Sequence, residues 1–403
     1  LGVVALLGTF VPRPAHADVN GEALRVSLLT FGPGEHPFFK FGHNAILVEQ
    51  MGGPGVVYNF GMFDFSSPAL IPKFVLGRSH YWLGRTERDR TIEQYIEDNR
   101  TVEIDELDLT PAQRKTLFER LDENARPQNR EYLYDYFNDN CSTRVRDALD
   151  AALDGKLRAA ASAPTRLTYR GHALRLVEDV AWEYVALYYL LGLPADKRGT
   201  KWDESFIPME LRDVVRAVNI DGKPLSASHR VIFQSTQPGP PLEPPQRYSL
   251  FVMVGGGLAI AFALLGTLGG RPGRGGRVAR GGFAVLSALV GFAAGLGGCL
   301  LIFLWVATNH RACHANVNVL QSVPWALAFV WTAWGLGRGD PQRERLAFRL
   351  AAAAAASSLF GLLARIVGLL PQENTPFILL FLPLWLGIAY GCWALARGAG
   401  RRW

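Results

Sequence analysis

Cysteine and histidine are scarce in this chain, with four of the first and eight of the second among 403 residues. No histidine ahead of the apolar C-terminal third stands at metal-ligand spacing from another histidine or a cysteine, so neither a metal nor a cofactor is expected there. Cys299 and Cys392 fall inside apolar runs, where a thiol is a packing residue. Cys141 and Cys313 remain, and spacing alone leaves a bridge between them open, although Cys141 has the more specific surroundings. The net charge of +6 comes without a recognisable recognition helix, and many arginines lie between apolar segments, so nucleic acid is not an expected partner. The start lacks an initiator Met and a basic leading region. Residues 1–17, LGVVALLGTFVPRPAHA, are accordingly expected to be a truncated signal peptide ending in Ala15-His16-Ala17.

What is abundant is apolar surface, 49% of residues, concentrated after Tyr248. Five runs of roughly 20 residues are expected to span a membrane: Tyr248 to Leu268, Phe283 to Ala307, Val319 to Leu336, Leu346 to Leu369 and Pro376 to Ala396. Arg271, Arg274, Arg277 and Arg280 are read as the first connection, Arg338, Arg343 and Arg345 as the third, and Arg397, Arg401 and Arg402 as the tail. The excess of basic residues puts these on the cytoplasmic side and residues 18–247 on the far side. Residues 18–163 alternate strand-like and helix-like segments, giving an α+β domain. A helical extension, 164–236, follows, with Trp182, Tyr184, Tyr188 and Tyr189 read as core. A proline-rich linker, 237–247, leads to the all-α five-helix region, 248–403.

Two segments carry chemistry. In DYFNDNCSTRVRDAL, Asp139 or Asn140 caps a helix that begins at Cys141, and Val145, Ala148, Leu149 and Ala152 share its face. The N-terminal end of a helix favours a thiolate and an oxyanion. The competing reading, a packed structural cysteine, is about as common. In FGHNAILV, alternation sets His43, Ala45 and Leu47 on one strand face and Asn44, Ile46 and Val48 on the other, so His43 is a candidate base, against the plainer reading of a structural histidine. Its orienting partner is sought in VVYNFG, where Asn59 is preferred to Tyr58; Asn59 as a turn residue before Gly61 is nearly as good a reading. His172 and His229 show no polar cluster around them. In TNHRACHANVNVLQSVP, His310 and His314 stand one helical turn apart, but no carboxylate joins them. That loop is read as interfacial, with His310, Asn316 and Asn318 as candidate headgroup ligands.

The runs GPGEHPFFKFGHNAILV, VVYNFGMFDF, FVLGRSHYWLGR and PQNREYLYDYFNDNCSTRVRDAL together resemble the Lnb N-terminal periplasmic domain family, over about Leu24 to Asp150. The resemblance implies a permuted papain-like, NlpC-type thiol domain and a lipoprotein N-acyltransferase of the bacterial inner membrane, with its catalytic domain in the periplasm. It also implies Cys141 as nucleophile, His43 as base and Asn59 as a third member; Tyr58 is, like His310, Asn316 and Asn318, a candidate substrate contact read from the residues alone. A phospholipid would donate the acyl chain and a diacylglyceryl lipoprotein would accept it. A membrane-tethered cysteine peptidase or amidase of cell-wall peptides, and a non-catalytic envelope protein that binds a lipid or a partner, are the alternatives.

Overall fold

A computed structural model describes residues 19–63 and 70–400, so the segment read as a signal peptide lies outside the described residues. The chain divides into two units, one of residues up to 184 with 197–244, the other of 185–196 with 245–403.

The first unit is built on a seven-stranded antiparallel sheet. Its strands are β1 (Leu24–Phe31), β2 (His43–Gln50), β3 (Val56–Met62), β4 (His80–Glu87), β5 (Val102–Leu107), β6 (Glu131–Leu133) and β7 (Ser226–Phe233), in the order β7-β5-β1-β2-β3-β4-β6. Helices α1 (Leu70–Val75), α2 (Arg88–Glu97), α3 (Pro111–Asn124) and α4 (Cys141–Ala152) complete the part that bears the candidate site. Thr110 caps α3, with its hydroxyl accepting from Gln113 N–H and the Gln113 side chain returning to Thr110 N–H.

Alternation along the strands sorts two cores. Leu28, Ile46, Val48, Tyr58, Phe60 and Leu83 face one way and pack with Leu117 of α3 and Val145 and Leu149 of α4. Leu29, Phe31, Ala45, Leu47, Val57 and Ile104 face the other way and pack with Tyr95 of α2. Both faces are covered, so side chains of either parity are buried.

Pairing between β1 and β2 runs their full length, from Leu24 with Gln50 to Phe31 with His43. Pairing between β2 and β3 extends only from Val48–Val56 to Ile46–Tyr58. Beyond Ile46 and Tyr58 the two strands part, while β3 continues against β4 with an irregularity between Phe60 and Met62. This opening in the sheet is where the chemistry-bearing residues collect.

The second unit is helical. Among the described residues four helices are long and apolar enough to cross a membrane: α5 (Tyr248–Gly269), α6 (Arg274–Ala307), α8 (Pro341–Ile366) and α9 (Thr375–Gly398). The expected third span, Val319 to Leu336, is not one continuous helix. Short 3-10 turns at Val317–Leu320 and Pro324–Leu327 precede α7 (Ala328–Arg338), and the two halves meet at 60°. Pro324 is the reason. It disfavours a helical residue before it, Val323 is extended, and helix can begin only at the proline. Counting the bent pair as one span gives five.

The arginine-rich connections are also shorter than expected. Arg274, Arg277 and Arg280 belong to the first turns of α6, and Arg343 and Arg345 to those of α8, because arginine is a good helix former. Arg280 pairs there with buried Glu344 and donates to the Gly269 carbonyl at 3.1 Å. Small residues let the backbones meet: a Cβ on Gly298 of α6 would stand 1.9 Å from the Ser322 carbonyl oxygen.

Candidate active site

Cys141 is the first residue of α4, and Asn140 is its N-cap. The Asn140 side-chain oxygen accepts from Ser142 and Thr143 N–H at 2.9 Å each, and Asn140 N–H donates to the Thr143 hydroxyl at 2.8 Å. The cap itself is pinned, because its amide nitrogen donates to the carbonyls of Tyr136 and Phe206 at 2.9 Å. The thiol is half-buried against the core under α4, the side expected from the helical spacing. All four cysteines are free.

The sheet meets this helix through the residue after His43. The Ser142 hydroxyl, 2.8 Å from the Asn44 side-chain oxygen and 2.7 Å from the Ser205 carbonyl, shares its proton between them. The Asn44 amide nitrogen in turn donates to the Thr30 hydroxyl at 3.0 Å. The backbone N–H of Asn44 faces the Cys141 sulfur, joined by those of Ser142 and Cys141. Asn44 thus ties the first residue pair of β2 to the first residue pair of α4.

His43 begins β2, and its Nε2 lies 2.7 Å from Oδ1 of Asn59 on β3, across the opening between the strands. An amide oxygen can only accept, so Nε2 carries the proton and Nδ1 keeps its lone pair. Asn59 is buried within a strand, which removes its reading as a turn residue. Gly61 leaves room for the ring: a Cβ there would stand 2.7 Å from His43 Cε1. On the far side, His43 stacks with Phe31 and Tyr95, each at 6.1 Å between ring centres.

Burial decides the protonation of both groups. It pushes the Cys141 thiol up to about 11, although the N–H groups of Asn44 and Ser142 and the charge of Arg100 pull the other way. The thiolate expected from the helix end is therefore outweighed by dehydration. Burial, with Arg100 second, lowers His43 to about 4 against the opposing Asn59 hydrogen bond. At neutral pH the pair is a neutral thiol and a neutral imidazole.

Other expected site residues lie elsewhere. Tyr58 points to the opposite face from His43, into the core, where it meets Arg85, itself 2.9 Å from Asp122. A period of two forbids neighbours 58 and 59 from sharing a face, so Tyr58 does not reach the imidazole. Asn316 and Asn318 are buried in the second unit. The Asn316 amide donates to the carbonyls of Tyr189, Leu190 and Leu191 at 2.9, 2.9 and 3.2 Å, and that of Asn318 to Tyr189 at 2.9 Å. They satisfy the end of the helix Ala181–Leu190. His310 caps the 3-10 turn Arg311–Cys313, and His314 Nε2 lies 3.1 Å from the Thr308 carbonyl, so the two do not share a helical turn.

His172 does sit in a polar cluster, contrary to its sequence surroundings, because its partners are distant in the chain. It lies 2.7 Å from Glu204, with Glu210 close by. Arg175 donates to His172 Nδ1 at 3.2 Å and to Glu210 at 2.6 Å, and Lys201 pairs with Glu204. These cations already balance the two carboxylates, and the group fits a structural network better than a metal ion. Asn44, Ser142, Gly61 and Arg100 were not singled out by the sequence. The first two had a signal, since each directly follows a candidate catalytic residue.

No curated protein and no solved structure matches the chain. Two family models do: the Lnb N-terminal periplasmic domain over residues 12–174 and the Lnb transmembrane domain over residues 278–398. Both domains of one family, in order and over well more than half of the residues, make this chain a member of the Lnb family.

Proposed function

We propose that the protein is a lipoprotein N-acyltransferase of the bacterial inner membrane, working through an acyl-thioester on Cys141. The observation that carries this reading is the junction at the parted strands. A cysteine at a helix start meets Asn44 N–H, and the adjoining histidine has its tautomer fixed by Asn59. A cysteine helix packed on an antiparallel sheet that bears histidine and asparagine is also the arrangement of a papain-like domain, and we assign the first unit to that class. Family membership supports an enzyme of lipoprotein modification, and the apolar helices supply a lipid surface.

In the proposed reaction His43 Nδ1 takes the thiol proton as the sulfur attacks an ester carbonyl of a phospholipid. The N–H groups of Cys141 and Asn44 hold the oxyanion, since Asn140 already engages those of Ser142 and Thr143. The imidazolium returns its proton to the departing lysophospholipid oxygen, leaving the thioester. The α-amine of a diacylglyceryl-cysteine then attacks. His43 accepts the amine's proton, the amide forms, and the proton passes to the leaving thiolate. A neutral resting pair suits this sequence, because the base is free and the thiol is protected until a substrate arrives.

The test is incubation of the purified protein with acyl-labelled phospholipid. A hydroxylamine-sensitive adduct in the wild type that disappears in Cys141→Ala is expected. Equal labelling of both proteins would overturn the thioester route, and cleavage of muropeptides without acylation would transfer the reading to a peptidase.

A further inference from the structure

A buried cation with no ion-pair partner among the described residues stands beside the candidate pair. Arg100 is 3% exposed. Its guanidinium lies over the Tyr95 ring at 4.6 Å and over Phe39 at 5.1 Å, and its Nε donates to the Gly32 carbonyl at 2.9 Å. Its Nη2 is buried with no hydrogen-bond partner among the described residues. Tyr95, on which Phe31 stacks at 3.6 Å, also has its ring centre 6.1 Å from that of His43, so guanidinium and imidazole share one aromatic neighbour. Burial of an arginine against two rings and a carbonyl is costly, and among the described residues no carboxylate bonds to it, Asp98 acting on it only at longer range.

We propose that Arg100, clamped over Tyr95 beside His43, is a positioning residue whose fixed positive charge supports the negative charge formed at the candidate site. The assignment rests on the thiol reading above. The groups in electrostatic reach of the sulfur agree with it. Tyr81 of β4, Tyr95 of α2, and Tyr132 and Tyr134 beside α4 all sense Cys141, but burial keeps each phenol neutral at pH 8. Arg100 is the charged group that acts on the thiol, pulling against dehydration. Because the rings clamp it before any substrate binds, no reorganisation is needed when negative charge develops. A burial this complete argues against a ligand anchor, since a phosphate would have to displace the rings to reach it.

The experiment is the rate of Cys141 alkylation by iodoacetamide at pH 8 in the full chain carrying Cys299→Ala, Cys313→Ala and Cys392→Ala. Below the thiol pKa the rate follows the thiolate fraction, so each unit of upward shift slows it about tenfold. Arg100→Met, whose apolar stem fits between the rings, is expected to slow alkylation by about tenfold, and Arg100→Lys to stay within about threefold of the parent. A purely structural role would do the opposite, because a loosened site exposes the sulfur and speeds the reaction. Rates that are unchanged or faster in Arg100→Met overturn the proposal. Should that variant lose its native melting transition, Arg100→Gln and Arg100→Lys are compared instead, and equal rates in those two overturn it as well. Failure of the acyl-transfer reading is separate: it appears as absence of the acyl adduct in the wild type, whatever the alkylation rates.

Discussion

Nε2 of His43 and Oδ1 of Asn59 stand 2.7 Å apart across the point where β2 and β3 cease to pair. No ladder hydrogen bond holds the strands together there, so the side-chain contact fixes the ring and its tautomer. Asn59→Ala is expected to lower adduct formation by about 100-fold, the lower end of what a positioned base contributes. It should also cost about 1–3 kcal/mol of stability through the buried N–H it leaves unpaired. Asn59→Asp keeps an acceptor and should melt closer to wild type than Asn59→Ala. Melting curves and labelling rates of the two variants check this, and indistinguishable variants would count against the orienting role.

The depressed His43 makes stability depend on pH with a definite sign. The folded imidazole titrates at about 4, against an ordinary value of 6.5. Between these values the unfolded chain binds more protons than the folded one, so stability is intact above about 6.5 and is lost as pH falls toward 4. At about 1.4 kcal/mol per unit the loss is on the order of 3 kcal/mol. Detergent-solubilised wild type should show this loss between pH 7 and 4, and His43→Gln should show less of it. Parallel curves would mean that His43 is not the titrating group.

Gly61 offers a change that displaces the imidazole while leaving the reacting groups chemically unaltered. A methyl group at that position would meet His43 Cε1 at 2.7 Å and Asn59 Oδ1 at 3.5 Å. The ring must swing away, and a displacement of about 1 Å can cost about 100-fold in rate. Gly61→Ala is expected to lose adduct formation on that scale while keeping its far-ultraviolet circular dichroism. An active Gly61→Ala protein would show that the imidazole position is not limiting.

Much of the first unit was legible in the sequence, for identifiable reasons. Strand-like and helix-like segments over 18–163 marked the α+β class, and alternation marked the two faces of β2. The pair Asp139-Asn140 before Cys141 marked the start of α4, and Asn140 is the residue that caps it. What could not be read was anything set by contacts between distant segments. The parting of β2 from β3, the Asn44–Ser142 bond and the cluster of His172 with Glu204 all join residues far apart in the chain. The protonation of Cys141 was misjudged because a helix end is visible in sequence and dehydration is not. In the second unit, hydropathy marked the spans, but it carries no information on the bend that Pro324 imposes.

Asn316 separates a structural role from a ligand role in the second unit. Its amide bonds three carbonyls at the end of the helix Ala181–Leu190, and its oxygen accepts from Gln372 Nε2 and from Asn318 N–H at 3.0 Å each. Gln372 closes the network by accepting from Val317 N–H at 2.7 Å. Every polar atom of the Asn316 side chain is engaged, so none is left for a headgroup. Asn316→Ala should therefore lower stability by about 1–3 kcal/mol for the acceptors it strands, with the KM for phospholipid unchanged. Asn316→Asp should be worse, because it sets a carboxylate against three carbonyl oxygens where a donor stood. A variant that melts like the wild type but needs more donor lipid would instead return Asn316 to the list of headgroup ligands.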